Sequence, residues 1–246
     1  MGALAALVVW LYPYAVSVPA TGFETSLIVR YHMATKATNE HPIWHRLADV
    51  VLADLLSLHS IKQRAYGASW RKHGEFLSIF ANITRKADRL FAGGTETPDE
   101  TLLDTIADLA VYCMLYRSWL HDTADEFDEG MTRSAGAVAA YAQFVHPNGA
   151  ELPRKAQWQA ERLEALILRQ IADGATPARQ HIKRTVVTGL ATYAVLWLAW
   201  LAYTQPAAYQ AWASQWHTAD VAVNATLDER YASRVQELND ATAKAE

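Results

Sequence analysis

Asp104 and Asp108 stand four residues apart in the run TLLDTIADLAVYC. At about 100° per residue a helix would place them on one stripe, one turn apart. Leu102, Ile106, Leu109 and Cys113 then form the opposite, apolar face, and the acidic stripe itself continues into Val111 and Leu115. Carboxylates that interrupt a helix apolar on both sides are costly to bury unless a cation meets them. Mg²⁺ would be one such cation, because it is a hard ion that takes oxygen ligands and two carboxylates at i and i+4 can share it.

The preceding run has a matching polar edge. Glu75, Asn82, Lys86 and Arg89 fall within about 60° of one another on a helical wheel. An acid, an amide and two bases in that row suit a carboxylate on a metal, with Lys and Arg on phosphate oxygens. The same region has a purely structural use: Arg85 and Arg89, also four apart, can pair with Asp104 and Asp108 across two helices.

Other chemistry is thinner. His41 and His45 have the spacing of a helical metal pair, but no Glu follows His41 and no third ligand is near. His73, in RKHGE, reads as polar surface at a helix start, and Gly93-Gly94 reads as a helix stop. The acidic cluster Asp122, Asp125, Glu126, Asp128 and Glu129 reads as a solvated helix end. No GxSxG motif occurs, and Cys113 lies on an apolar face, where a thiol is inert.

The elements that must position these residues are helical. The chain has 246 residues, 51% of them hydrophobic and 20% charged, which excludes a disordered chain or a collagen. The single cysteine excludes an internal disulfide. A net charge of −4 argues against a general nucleic-acid binder. After Pro42, the positions Leu47, Val50, Val51, Leu55 and Leu58 trace one helix face that ends near Gly67. A second helix is expected over 75–91. A third is expected from Thr97, where Thr97-Pro98-Asp99-Glu100 has the form of a capping box that makes Glu100 a cap. A helix over 153–172 follows, and a break at 173–177. No run alternates with period two, so the fold class expected is all-α.

Two stretches suggest a membrane. Residues 1–23 carry no charge but are interrupted by Pro13 and Pro19. Residues 185–219 contain no Asp, Glu, Lys or Arg, and 186–203 are just long enough to cross a bilayer. Trp197, Trp200, Tyr203, Tyr209, Trp212 and Trp216 crowd the exit of that run, as at a membrane interface. Arg179, His181, Lys183 and Arg184 precede it, which would place that flank in the cytoplasm. The competing reading is the central helix of a soluble bundle, hydrophobic all round.

Three short motifs, in order, carry a family resemblance: IKQRAYGASW at 61–70, FLSIFANITRKADRL at 76–90 and ETLLDTIADLAVY at 100–112. Together they resemble the nucleotide modification associated domain 1 family, an all-α domain frequent in phages and related to MazG-like nucleotide pyrophosphohydrolases. The resemblance covers about 60–120. It implies a helical bundle that binds a nucleotide through Mg²⁺, with water attacking phosphorus and pyrophosphate leaving. It implies that Asp104 and Asp108 match the family's acidic helix and Lys86 and Arg89 its basic one. It also implies that Tyr66 and Trp70 flank a base or seal the site. The EExxE motif of MazG enzymes is absent; the helix at 75–91 offers Glu75 alone.

The expected organisation is an apolar segment (1–32), a MazG-like helical domain (33–130), a helical connector (131–184), a transmembrane helix (185–205) and a polar helical tail (206–246). The expected site has Asp104, Asp108 and Glu75 as catalytic and metal residues for Mg²⁺. Lys86, Arg89, Asn82, Tyr66 and Trp70 would bind substrate. The expected activity is nucleoside triphosphate pyrophosphohydrolysis, with a nucleotide and a membrane as partners, no specific nucleic acid, and self-association open. The alternative is a non-enzymatic membrane or virion component in which acid–base pairs only hold helices together.

Overall fold

A computed structural model describes residues 43–67, 69–92, 101–121, 127–146 and 148–216; the side chains of Ile43, Tyr66, Phe127 and Asp128 fall outside that description. The described residues are all-α, with no strand among them. Helix α1 is Ile43–Tyr66 and α2 is Ala81–Phe91, entered through a π-helical turn, Glu75–Phe80. Helices α3 (Leu102–Trp119), α4 (Phe127–Ala142), α5 (Leu152–Asp173) and α6 (Pro177–Thr204) follow, and α7 covers 206–216. The apolar segment 1–32, His41 and the tail beyond 216 lie outside the described residues.

Local sequence explains the boundaries. Gly67 ends α1 with a backbone φ of 58°, a left-handed value that glycine adopts without strain. Asp173-Gly174 closes α5, and Thr176 then caps α6 by accepting a hydrogen bond from the Arg179 N–H, with Pro177 at the first helical position. The Thr97–Glu100 box lies outside the described residues. The box that opens α3 is instead Thr101 with Asp104: Asp104 N–H donates to Thr101 Oγ1, and Thr101 N–H donates back to Asp104 Oδ2.

Helix α6 is the centre of the structure. Helices α1, α3, α4 and α5 all pack on it. It is long and apolar enough to cross a membrane, yet 83% of its most apolar window is buried by the protein's own helices. Val187, Leu190, Ala191, Ala194, Val195, Leu196 and Leu198 have no exposed surface. Burying each large aliphatic side chain of this kind contributes roughly 1.5–3 kcal/mol. Most of the late aromatics, grouped like an interfacial belt, also turn inward, whereas Tyr203 stays exposed. Trp197 stacks with Phe91 of α2 at 6.4 Å, Trp200 meets Trp44 of α1 edge-on at 6.2 Å, and Tyr209 is fully buried beside Trp212. The basic flank is likewise engaged within the protein. Arg179 pairs with Asp173, Lys183 is fully buried, and Arg184 reaches His121.

Two glycines have opposite roles in this packing. A Cβ on Gly149 would stand 2.1 Å from the Trp200 ring, whereas one on Gly136, on the exposed side of α4, would meet nothing within 4 Å. Gly149→Ala is therefore expected to destabilise the fold by about 1–3 kcal/mol. Gly136→Ala is expected to stabilise it by about 0.5–1 kcal/mol through helix propensity. Urea unfolding of the two variants beside the parent checks both signs.

Candidate functional site

Helix α3 carries both expected carboxylates, and each is engaged by the chain itself. Asp104 completes the helix cap with Oδ2 and accepts a hydrogen bond at Oδ1 from the Trp212 indole N–H, 2.8 Å away. Asp108 lies between two lysines: Lys62 of α1 bonds Oδ1, and Lys86 of α2 stands 2.8 Å from Oδ2. Lys86 is only 3% exposed, so this pair is largely removed from water. Burial pushes the Asp108 carboxyl up, but the two ammonium groups outweigh it and leave the pKa below the usual carboxylate range. A cation does meet the acidic stripe, and it is a pair of lysines rather than Arg85 and Arg89.

Glu75 belongs to a different cluster. The π-helical turn aims it into the core, where Tyr116 OH and Lys183 Nζ both donate to Oε1 and Gln170 Nε2 donates to Oε2 at 3.0 Å. Lys183 also donates to Gln170 Oε1. Four helical segments thus converge on one buried acid–base network. Burial, and then the adjacent Glu75 carboxylate, raise the Tyr116 phenol above its ordinary range, so it remains a donor.

The three expected metal ligands therefore sit in separate networks. All six of their carboxylate oxygens accept hydrogen bonds from the chain. Among the described residues no group of three or more His, Cys, Asp or Glu side chains is arranged to hold a metal. A Mg²⁺ ion at Asp108 or Glu75 would have to displace a buried ammonium group, so these side chains, as arranged, do not fit the ion.

The expected substrate residues divide. Lys86 faces Asp108. Trp70 is buried edge-on against Trp119 at 6.4 Å, with the Arg71 guanidinium over both rings. The side chain of Tyr66 lies outside the described residues. Asn82 anchors to the Ser78 carbonyl at 2.8 Å and accepts a hydrogen bond from Arg85 at 3.0 Å. Arg89 lines an open groove of about 740 Å³ with Arg85, Asp88, Thr84, Phe76 and Phe80. Phe76 is 38% exposed there, so an aromatic face and two guanidiniums share one solvent-reachable surface.

Sequence reasoning missed Lys62, Lys183, Tyr116 and Gln170. Lys183 had a signal, because it falls on the same stripe as Val187 and Leu190. Its partner Glu75 is 108 residues away in the chain.

No protein-family model matches the chain, and no solved structure matches it. It is similar to the "Gene 30 protein" of Bacillus phage SP01, at 31% identity over 124 residues that cover 40% of this chain and 55% of the relative. The chain thus spans about half the length of that relative, whose name states no activity.

The Asp108 pairing generates a prediction with a definite sign. Asp108→Asn takes the carboxylate's charge away from Lys62 and the buried Lys86 and is expected to cost about 3–5 kcal/mol in metal-free buffer. Because the folded pKa is depressed, this contribution is fully present above the unfolded value of about 4 and is lost as pH falls through the folded pKa. Urea unfolding of parent and variant between neutral and strongly acidic pH should show the difference shrink on the acid side. Equal stabilities at neutral pH would refute the structural role.

Proposed function

We propose that this chain is an all-α nucleotide-binding protein whose ligand lies on the outer face of α2, and that its role is binding rather than metal-dependent hydrolysis. The observation that carries this reading is the groove that joins Phe76 and Phe80 to Arg85 and Arg89. Its volume, about 740 Å³, falls within the range of small-molecule sites. A base can stack on an exposed phenylalanine, and guanidiniums hold phosphate oxygens in paired hydrogen bonds. The Ser78–Asn82–Arg85 chain of hydrogen bonds fixes one guanidinium in advance. The likeness of 60–120 to nucleotide modification associated domains supports the same ligand class.

Asp104, Asp108 and Glu75 hold the helices in register in this reading, and no hydrolytic step runs through them. A membrane role draws support only from the length and apolarity of α6; its burial within the bundle favours the core-helix reading.

Titration of the full chain with ATP, with and without Mg²⁺, tests the proposal. Phe76→Ala and Arg89→Ala are each expected to weaken binding about tenfold or more, the equivalent of one stacked base and one charge-assisted contact respectively. Asp88→Asn should strengthen it, since Asp88 is the carboxylate in that groove. Lys86→Ala should lower stability and leave affinity unchanged in the protein that remains folded. Absence of saturable nucleotide binding by the parent would refute the reading.

A further inference from the structure

The corner where the C-terminal end of α3, the first turns of α4 and the start of α6 meet gathers positive charge. Arg117, Ser118, His121, Arg133 and Ser134 line a cavity of about 190 Å³ there. Arg184 of α6 stands beside the cavity rather than in its wall, with its Nη1 3.5 Å from the lining residue His121 at Nδ1. Arg117 is fixed by a 2.8 Å hydrogen bond from its Nε to Thr188 Oγ1. Of the three arginines at this corner only Arg133 has an acid partner among the described residues, the exposed Glu129; no described carboxylate bonds Arg117 or Arg184.

Two kinds of unmet demand meet in this cavity. The first is like-charge repulsion. Burial, and then Arg117, Arg184 and Arg133, hold the His121 imidazole below its ordinary pKa, and burial followed by Arg184 lowers that of Arg117. The second is unsatisfied hydrogen bonding. Ser118 Oγ and Ser134 Oγ, in residues 3% and 1% exposed, are buried without a partner, and so is Arg184 Nε. Buried donors left in this way cost free energy and need a ligand or an explanation. An oxyanion answers both demands, because it brings negative charge and accepts from hydroxyls and guanidiniums together. Gly130 brings the first turn of α4, the positive end of that helix, to the same cavity. The volume is below the roughly 300–1,000 Å³ of sites that enclose a whole small molecule, so it suits one phosphate-sized group.

We infer that this corner is an oxyanion site that takes inorganic phosphate or the phosphoryl end of a phosphomonoester, held by Arg117, Arg184, Ser118 and Ser134. It shares no residue with the groove on α2 and does not depend on that reading.

Thermal unfolding and calorimetric titration of the full chain with inorganic phosphate, against chloride at matched ionic strength, test the site. The expected result is a saturable rise in Tm with phosphate alone. Ser134→Ala and Arg184→Gln should each weaken phosphate about tenfold or more. In chloride, Arg184→Gln should melt no lower than the parent, because it removes a repelling charge. Glycerol phosphate binding as tightly as phosphate identifies a phosphomonoester end as the ligand; binding of phosphate alone identifies the free ion. Arg184→Gln that melts lower in chloride yet keeps its phosphate response would overturn the inference. So would a phosphate response lost in Arg89→Ala and kept in Arg184→Gln, which puts the anion in the α2 groove. Asp122, Asp125 and Glu126 follow His121 in the sequence. If phosphate binds only when these three are changed to Asn, Asn and Gln, the chain's own carboxylates are the occupant and the inference fails.

Discussion

Past its first turns helix α6 is enclosed by neighbours over most of its surface, and a charge fully buried on such a helix needs another element to deliver the opposite one. Lys183 is that charge. It is fully buried two turns into α6, and Glu75, Tyr116 and Gln170 surround its ammonium group. The network fixes more than one side chain. It sets the rotation of α6 about its axis, because any other rotation would leave an ammonium group in an apolar core without a partner. It also sets the position of the π-helical turn ahead of α2, since that turn must present Glu75 inward. Once α6 and α2 are placed, α3 is placed between them.

The acidic stripe of α3 follows the same rule at a second level. A helix with apolar side chains all around cannot leave Asp108 unmatched, and Lys62 and Lys86 match it from two flanking helices. Asp104 ties the start of α3 to α7 through Trp212, and Asp54 ties α1 to the same helix through Tyr209, whose hydroxyl donates at 2.9 Å. These polar contacts join elements far apart in the chain. Their value is specificity of arrangement more than net stability, since buried ion pairs regain little beyond the cost of drying them. A carboxylate already matched by ammonium groups is a poor metal ligand, which is why spacing alone is an ambiguous guide to chemistry here.

The helices were legible because their signals are local. The stripe Leu47, Val51, Leu55 and Leu58, the breaks at Gly67 and Gly174, and the proline at the start of α6 depend on neighbours within a few residues. The all-α class follows from them. Membrane and core readings of 186–203 were not separable by composition, because lipid and a ring of apolar helices select the same side chains. The identity of the counter-charges was not legible either. Lys62 and Lys86 approach Asp108 from helices whose relative rotation no local pattern fixes, and Trp212 reaches Asp104 across 108 residues. Asn82 and Arg89 were legible as members of a polar edge, and Arg85 as a base one turn before Arg89, because all three lie on a single helix, whereas the α3–α4–α6 corner is assembled from three.

The order of the helices along the chain has a consequence for synthesis. The helices that pack extensively on α6, namely α1, α3, α4 and α5, all leave the ribosome before α6 does. Until about residue 204 has been translated and has cleared the exit tunnel, those helices can touch one another but lack the central helix on which they close. Leu55, Ile106, Met114 and Leu163, which have no exposed surface in the finished protein, face solvent or one another in the nascent chain. Chains generally fold from the N-terminus as they emerge, and exposed apolar surface invites association at that stage. Here the core can be completed only once α6 has emerged, so the helices made before it need shielding until then.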